Sequence, residues 1–293
     1  MTRNASSLIS AFTGFLVGIL CLTAAHAEDP QRIVVAGGDL TEIAFALGAG
    51  EEVVGVDSTS THPQAAKDRE QIGYVRRLSA EGVLSLSPDL FIAAHDAGPE
   101  AAMAQLEAAG VNVQKMPDAA SVEDIPAKIV AVGKALDREE AASALANEFA
   151  TTLRTVEQKV AKLDGTPKVL FVLSVQRGTP LVGGSNTSAQ EMIERAGGIN
   201  AATGFEGYKP MSREAIINAA PDVLLMMESH AGRSGGLEAV LEMPELAMTP
   251  AGQSGRAVTM DGMLLLGFGP RTPDAIAELA RALHPEAAAK AGL

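Results

Sequence analysis

Two tyrosines and a pair of arginines are the side chains of this sequence best suited to ligand chemistry. Tyr74 and Tyr208 are its only tyrosines, and Arg76 and Arg77 follow Tyr74 by two and three residues. A phenolate is a hard anionic donor that suits Fe(III). A neighbouring guanidinium favours the phenolate, and it can also pair with a carboxylate. Tyr74 is therefore a candidate ligand. The alternative, which is favoured when the tyrosine is considered alone, is a loop tyrosine that packs against its own lobe.

Other polar side chains follow predicted strands of the second half or lie in loops. Arg233 and Arg177 each follow such a strand and are candidates for contact with an anionic ligand group, or ordinary solvated arginines. A second kind of site is a zinc or manganese centre made of histidines and a carboxylate. The histidines considered for it are His62, His95 and His230. No dense run of histidines is present, so loop or cap roles are favoured for them.

The composition excludes several classes of protein. The chain has 293 residues, is 47% hydrophobic, has one cysteine and no tryptophan, and carries a formal net charge of −13. One cysteine cannot make a disulfide framework or a multi-cysteine metal site. Nucleic acid is excluded as a partner because its recognition needs a basic face or many stacked aromatics. The sequence has no P-loop, no Gly-x-Ser-x-Gly and no His-Glu-x-x-His, and we predict that it is not an enzyme.

The N-terminus has the pattern of a cleaved export signal. Arg3 supplies a positive charge, residues 8–22 are mostly apolar, and Ala25-His26-Ala27 matches a small-x-small cleavage site. We predict cleavage after Ala27. The alternative is a lipoprotein anchored at Cys21, which Leu20 disfavours because a small residue normally precedes such a cysteine.

Short apolar runs alternate with helical patterns through the rest of the chain. Strands are predicted at 33–36, 53–56, 90–93, 111–113, 169–173 and 223–227. Alternation of this kind is typical of parallel α/β sheets. Segments 73–96 and 207–231 also resemble each other, since each has Gly-Tyr, then Ser-x-Glu, then Pro-Asp before a strand. A repeat of whole α/β units implies two similar lobes, and chance similarity of common helix and strand boundaries is the alternative.

A long helical stripe separates the two halves, with apolar residues at 145, 149, 153, 156, 160 and 163. We predict an α/β fold in which two Rossmann-like lobes with parallel sheets are joined by a long backbone helix. The predicted boundaries are a signal peptide at 1–27, an N-terminal lobe at 28–120, a connecting helical segment at 121–166 and a C-terminal lobe at 167–293. Two exported lobes around a cleft indicate ligand capture.

Four segments carry a resemblance to a known family, at 37–42, 72–82, 207–212 and 265–271. From about residue 32 to residue 284 the sequence resembles the periplasmic haem-binding proteins of bacterial haemin ABC importers. These belong to the helical-backbone class III of substrate-binding proteins, which also serves cobalamin and siderophore importers. The run Gly-Tyr-x-Arg-x-Leu-Ser-x-Glu at 73–81 is typical of the haem branch.

The resemblance implies a role for each candidate residue. Tyr74 would be the axial ligand to the Fe(III) of haem b, and Arg76 its hydrogen-bonding neighbour. Arg76, Arg77 and Arg233 would contact the haem or its propionates. Tyr208, at the corresponding place in the second lobe, would contact the second haem face or have a structural role. Some relatives bind a second haem through a histidine after the strand at 168–173, and residues 174–177 contain none.

The resemblance also implies the partners. Glu81 and Glu214, at equivalent positions of the repeat, would dock on the permease dimer of the inner membrane. The expected protein is a periplasmic monomer that binds haem and delivers it to this ABC permease. A siderophore or cobalamin receptor of the same class is the alternative, and a zinc or manganese receptor is less favoured.

Overall fold

The computed structural model describes residues 31–293. The predicted signal peptide and its cleavage after Ala27 lie outside the described residues. The first sheet is built from five short strands, β1 (Ile33–Ala36), β2 (Val53–Val56), β3 (Glu70–Gln71), β4 (Leu90–Ala93) and β5 (Asn112–Lys115). They are ordered β3-β2-β1-β4-β5, and all neighbours run parallel. Every residue of β1 and β4 is buried, as their continuous apolar sequence predicts for the middle of a covered parallel sheet.

Three helices accompany this sheet, α1 (Gly38–Ala46), α2 (Ala80–Leu84) and α3 (Glu100–Ala108). The sheet and these helices are called the N-terminal lobe below. Two short 3-10 turns, Gln64–Asp68 and Val75–Arg77, lie between β2 and α2.

Two helices connect the sheets, α4 (Ile125–Ala135) and α5 (Glu139–Val160). The buried residues of α5 include Phe149, Leu153 and Val156, as the apolar stripe predicts. Helix α5 has 22 residues and is therefore about 33 Å long. It is shorter than the stripe suggests because it ends at Val160, before Leu163.

The second sheet has six strands, β6 (Lys168–Gln176), β7 (Thr179–Gly183), β8 (Ile199–Asn200), β9 (Tyr208–Pro210), β10 (Val223–Met227) and β11 (Ala257–Met260). The path is β11-β10-β6-β7-β9, with β8 also paired to β6. The predicted two-sheet α/β architecture is confirmed, but the expectation of a wholly parallel second sheet is wrong. Strand β7 runs antiparallel to β6, and β9 runs antiparallel to β7. Arg177 and Gly178 both have positive φ, which makes a two-residue hairpin that reverses the chain after β6.

Nine helices follow in the C-terminal half of the described chain. They are α6 (Ser188–Arg195), α7 (Arg213–Ala219), α8 (Glu228–Arg233), α9 (Leu237–Leu241), α10 (Pro244–Ala247), α11 (Pro250–Ser254), α12 (Gly262–Leu266), α13 (Thr272–Leu283) and α14 (Pro285–Ala291). The second sheet and these helices are called the C-terminal lobe. Helix α13 packs against the connecting helix α5. Within residues 31–293, no helix combines the length and the apolar character needed to cross a membrane.

The internal repeat is visible in the hydrogen bonds of both lobes. Asp89 Oδ2 accepts from the backbone N–H of Arg32 at 2.8 Å, and Asp222 Oδ2 accepts from that of Lys168 at 2.9 Å. Each aspartate thereby ties the start of one strand to the start of the next parallel strand. Both lobes use the Pro-Asp pair for the same purpose, so the similarity of segments 73–96 and 207–231 is structural. The residue boundaries of the lobes remain predictions, since residues 31–293 form one compact unit.

Candidate functional site

A cavity of about 450 Å³ lies where the two lobes meet. The N-terminal lobe and the connecting helix contribute loops after β1, β4 and β5, together with α4. The C-terminal lobe contributes the start of α6 and the segment around α12. Its lining residues that carry side-chain charge or a phenol are Asp39, Tyr74, Arg76, His95, Asp96, Asp118 and Lys128. Most of these side chains follow the carboxyl ends of parallel strands, which is the usual place of ligand sites in α/β folds.

Tyr74 and Arg76 are joined by a hydrogen bond inside this cavity. Tyr74 directly precedes the 3-10 turn Val75–Arg77, and Gly73 before it has a φ of 94°, which bends the chain as a residue with a side chain rarely can. The tight turn folds Arg76 back over Tyr74. Arg76 Nη1 donates to the Tyr74 hydroxyl oxygen at 3.0 Å. This bond fixes the direction of the Tyr74 hydroxyl group at the cavity wall.

Asp96 fixes the arginine from its other side. Arg76 Nε donates to Asp96 Oδ2 at 2.6 Å, and this bond is the main reason that the pKa of Arg76 lies above its ordinary value. The sequence pattern did not single out Asp96, because it lies 20 residues further along the chain. Its place in the loop that follows strand β4 is the signal that could have found it.

The other candidate arginines do not line the cavity. The Arg77 guanidinium lies 5.8 Å from the centre of the Tyr74 ring, and its side chain is exposed. Arg233 is the last residue of α8 and is also exposed. Neither residue is part of the cavity wall, so of the three predicted propionate contacts only Arg76 lies there.

Tyr208 also lies outside the cavity wall. It is in β9 at the edge of the second sheet, and its ring meets Phe171 edge to face with centroids 6.3 Å apart. The side chain is partly exposed, yet burial of the phenol raises the pKa of Tyr208. This packing agrees with the structural alternative for Tyr208.

Glu81 and Glu214 occupy matching places on the molecular surface. Each is exposed and is the second residue of its helix, in α2 and α7 respectively. Ser79 and Ser212 cap these helices through hydrogen bonds from the backbone N–H groups of Gly82 and Ala215. Hydrogen bonds from its own backbone N–H and from Ser212 lower the pKa of Glu214.

Two further pairs of polar side chains line the cavity, and the sequence patterns did not predict either pairing. Lys128 of α4 donates to Asp39 Oδ2 at 2.5 Å, and His95 Nδ1 lies 3.3 Å from Asp118 Oδ1. The sequence patterns did not identify Lys128 because it belongs to the connecting segment and lies 89 residues from Asp39 along the chain. His95 and Asp118 follow the adjacent strands β4 and β5, which places them at one edge.

The other two histidines considered for a metal site, His62 and His230, do not line the cavity. His62 is exposed outside the cavity, and His230 Nδ1 bonds to the carbonyl oxygen of Leu173. Among residues 31–293, no three His, Cys, Asp or Glu side chains are arranged to hold a metal ion. A larger groove of about 1140 Å³, on the far side of the C-terminal lobe, contains none of the predicted site residues.

Known proteins match almost the whole described chain. The family model for periplasmic binding proteins matches residues 33–264. The structure of the periplasmic heme-binding protein BhuT in complex with two hemes is 43% identical with a TM-score of 0.84, over 88% of this chain and 99% of that one. The Bacillus subtilis ABC transporter substrate-binding lipoprotein YvrC is 28% identical over 88% of this chain and 82% of its own length.

A third relative has a different ligand in its name. The vitamin B12-binding protein of Pectobacterium carotovorum is 28% identical over 75% of this chain and 79% of its own length. All three relatives are therefore covered over most of their length. With the match to the family model over 33–264 and the two sheets that enclose a cleft, the chain belongs to the periplasmic binding protein family.

Proposed function

We propose that the protein is a non-enzymatic receptor that captures one haem in the cavity between its lobes. The Tyr74 oxygen is the axial ligand of Fe(III), and Arg76 holds that oxygen. The observation that carries the proposal is the hydrogen bond from Arg76 Nη1 to the Tyr74 hydroxyl inside the cavity. The 43% identity to BhuT, a heme-binding protein, supports haem as the ligand. The contacts of Arg77 and Arg233 with the haem or its propionates remain predictions.

Titration with hemin tests this proposal. The purified protein is expected to give a saturable Soret change at about one equivalent, because residues 174–177 offer no histidine for a second iron. Tyr74→Phe keeps the ring and removes only the oxygen, so it is expected to alter the Soret spectrum and to weaken binding by tenfold or more. Tyr74→Ala is expected to do the same.

Tyr208→Phe is the matched comparison, since it removes the other phenolic oxygen of the chain. Its spectrum and affinity are expected to change far less than those of Tyr74→Phe. An unchanged spectrum in Tyr74→Phe would remove Tyr74 as the ligand. Equal changes in both variants would instead assign the second face of the haem to Tyr208.

The proposed delivery step uses an ABC permease of the inner membrane. The relative YvrC is named as an ABC transporter substrate-binding lipoprotein, which supports a permease partner for this chain. Glu81 and Glu214 are exposed and occupy the same position of two repeated helices. Two equivalent carboxylates on two similar lobes suit a partner with two-fold symmetry. The receptor would act in the periplasm as a monomer, after cleavage behind Ala27.

Charge reversal at these positions tests the docking role. The pair Glu81→Lys and Glu214→Lys is expected to reduce haem-stimulated ATPase activity of the reconstituted permease by tenfold or more, because like charges then meet at the interface. Hemin affinity should stay at the original value. The control is the pair Glu107→Lys and Glu238→Lys, which changes the net charge equally at two other exposed helix positions. Equal losses of ATPase activity in both pairs of variants would mean that the effect comes from net charge alone. Loss of hemin binding in the pair at Glu81 and Glu214 would mean that these glutamates belong to the ligand site.

A cobalamin receptor is the second candidate function. The 28% identity to a vitamin B12-binding protein favours it. The same titration with cyanocobalamin distinguishes a haem receptor from a cobalamin receptor. Saturable binding of cobalamin without a response to hemin would identify cobalamin, rather than haem, as the ligand. A receptor that binds siderophores would show no saturable binding in either titration.

A further inference from the structure

Lys128 brings a buried positive charge to the cavity from a part of the chain that belongs to neither sheet. Its side chain is only 5% exposed, and it lines the cavity together with Tyr74 and Arg76. We propose that Lys128 binds a carboxylate of the ligand and makes the site selective for tetrapyrroles with free carboxylates. This inference rests on the proposed function and adds a specificity-determining residue to it.

The ammonium group of Lys128 has hydrogen-bonding capacity to spare. A lysine ammonium carries three donors. Within residues 31–293, Lys128 Nζ makes one hydrogen bond, which it donates to Asp39 Oδ2 at 2.5 Å. Burial of a donor without a partner is costly. Because Lys128 lines the cavity, a ligand acceptor there can use the two remaining donors.

The other cations around the site are less suited to this task. Arg77 and Arg233 are exposed and do not line the cavity. Arg76 already uses two of its five N–H donors, one on Nε for Asp96 and one on Nη1 for Tyr74, and these bonds fix its direction. Lys128 is therefore the second cation that a ligand with two carboxylates can reach from within the cavity.

Asp39 does not cancel the attraction of this corner for an anion. It lies in the first turn of α1, a helix of nine residues. The N-terminal end of a helix carries a partial positive charge from its unpaired backbone N–H groups. The buried Asp57 carboxylate accepts from the backbone N–H of Gly37 at this helix end. The attraction of the corner for a ligand carboxylate therefore depends on the spare donors of Lys128 rather than on an excess of positive charge.

The two candidate ligands differ in the polar groups carried by the ring edge. Haem carries two propionate carboxylates, whereas the side chains around a corrin ring are neutral amides. A buried ammonium with spare donors stabilises an ionised carboxylate more than an amide, since hydrogen bonds between charged groups are roughly twice as strong. Lys128 would therefore favour haem over cobalamin in a cleft whose overall shape is shared.

Paired titrations with hemin and hemin dimethyl ester test this inference. Both contain the same Fe(III) and differ only in the ionised carboxylates. The unchanged protein is expected to prefer hemin, and Lys128→Met is expected to reduce that preference about tenfold, through loss of hemin affinity alone. The readout is the ratio of the two dissociation constants, which a general effect on folding or cavity shape would leave unchanged.

Two further variants complete the design. Lys134→Met removes an exposed lysine from the same helix, outside the cavity, and should keep the original ratio. The double variant Asp39→Asn, Lys128→Gln leaves no buried unpaired charge, so it provides the measurement if Lys128→Met fails to fold. An unchanged ratio in the variants of Lys128 would overturn the inference while the proposed function stands. A protein that binds neither compound would refute the proposed function and this inference with it.

Discussion

The Tyr74 oxygen is positioned by a chain of two hydrogen bonds. Asp96 Oδ2 accepts from Arg76 Nε, and Arg76 Nη1 donates to the Tyr74 hydroxyl. Without Asp96 the guanidinium, whose side chain is 61% exposed, could rotate into solvent. We regard Asp96 as a positioning residue, because it reaches the proposed ligand oxygen of Tyr74 only through Arg76.

Asp96→Asn therefore tests a role that sequence spacing did not reveal. We expect it to weaken hemin binding about three- to tenfold and to shift the phenolate-to-iron absorption, because the hydrogen bond to the ligand oxygen loses its fixed direction. The comparison is Asp118→Asn, which removes one negative charge from the same cavity but lies next to His95 rather than Arg76. Equal effects of the two variants would indicate a contribution of net charge and would contradict a positioning role.

At the scale of elements, most of the fold could be predicted from the alternation of apolar runs and helical patterns. Strands β1, β2, β4 and β10 have the predicted bounds, because buried parallel strands consist of continuous apolar residues that few other elements use. The repeat could also be recognised, since the Pro-Asp pair binds the neighbouring strand through the same backbone contact in both lobes.

The antiparallel strands β7 and β9 could not be predicted in this way. Strand β7 follows a turn of Arg177 and Gly178, and the positive φ of Arg177 is unusual for a residue with a long side chain. Only the glycine gave a local sign of the hairpin. Strand β9 has three exposed residues and no apolar alternation, so its pairing with β7 depends on tertiary contacts alone.

The site shows the same division between local and distant contacts. Tyr74 and Arg76 share a single turn, so a motif of a few residues predicts that they lie together. Lys128 and Asp39 are 89 residues apart and come from different elements. Their contact depends on how α4 packs near the start of α1, which the spacing of residues along the chain does not encode.

At the scale of the whole molecule, one ion pair joins the two lobes beside the cavity. Arg271 Nε donates to Glu42 Oε2 at 2.9 Å, and Nη2 donates to Glu42 Oε1 at 2.5 Å. Glu42 belongs to α1 of the N-terminal lobe and is only 6% exposed, whereas Arg271 precedes α13 of the C-terminal lobe. The hydrogen bond to Glu42 is the main reason that the pKa of Arg271 is raised.

Loss of the arginine would leave a nearly buried carboxylate without a partner. Arg271→Leu is therefore expected to lower the free energy of unfolding by about 3 kcal/mol, measured by urea denaturation of the protein without ligand. The double variant Glu42→Gln, Arg271→Leu should recover part of this loss, since no buried charge then stands alone. Glu100→Gln breaks the exposed pair with Lys115 and should cost below about 1 kcal/mol. A loss in Arg271→Leu as small as that of Glu100→Gln would mean that solvent, rather than the opposite lobe, compensates Glu42.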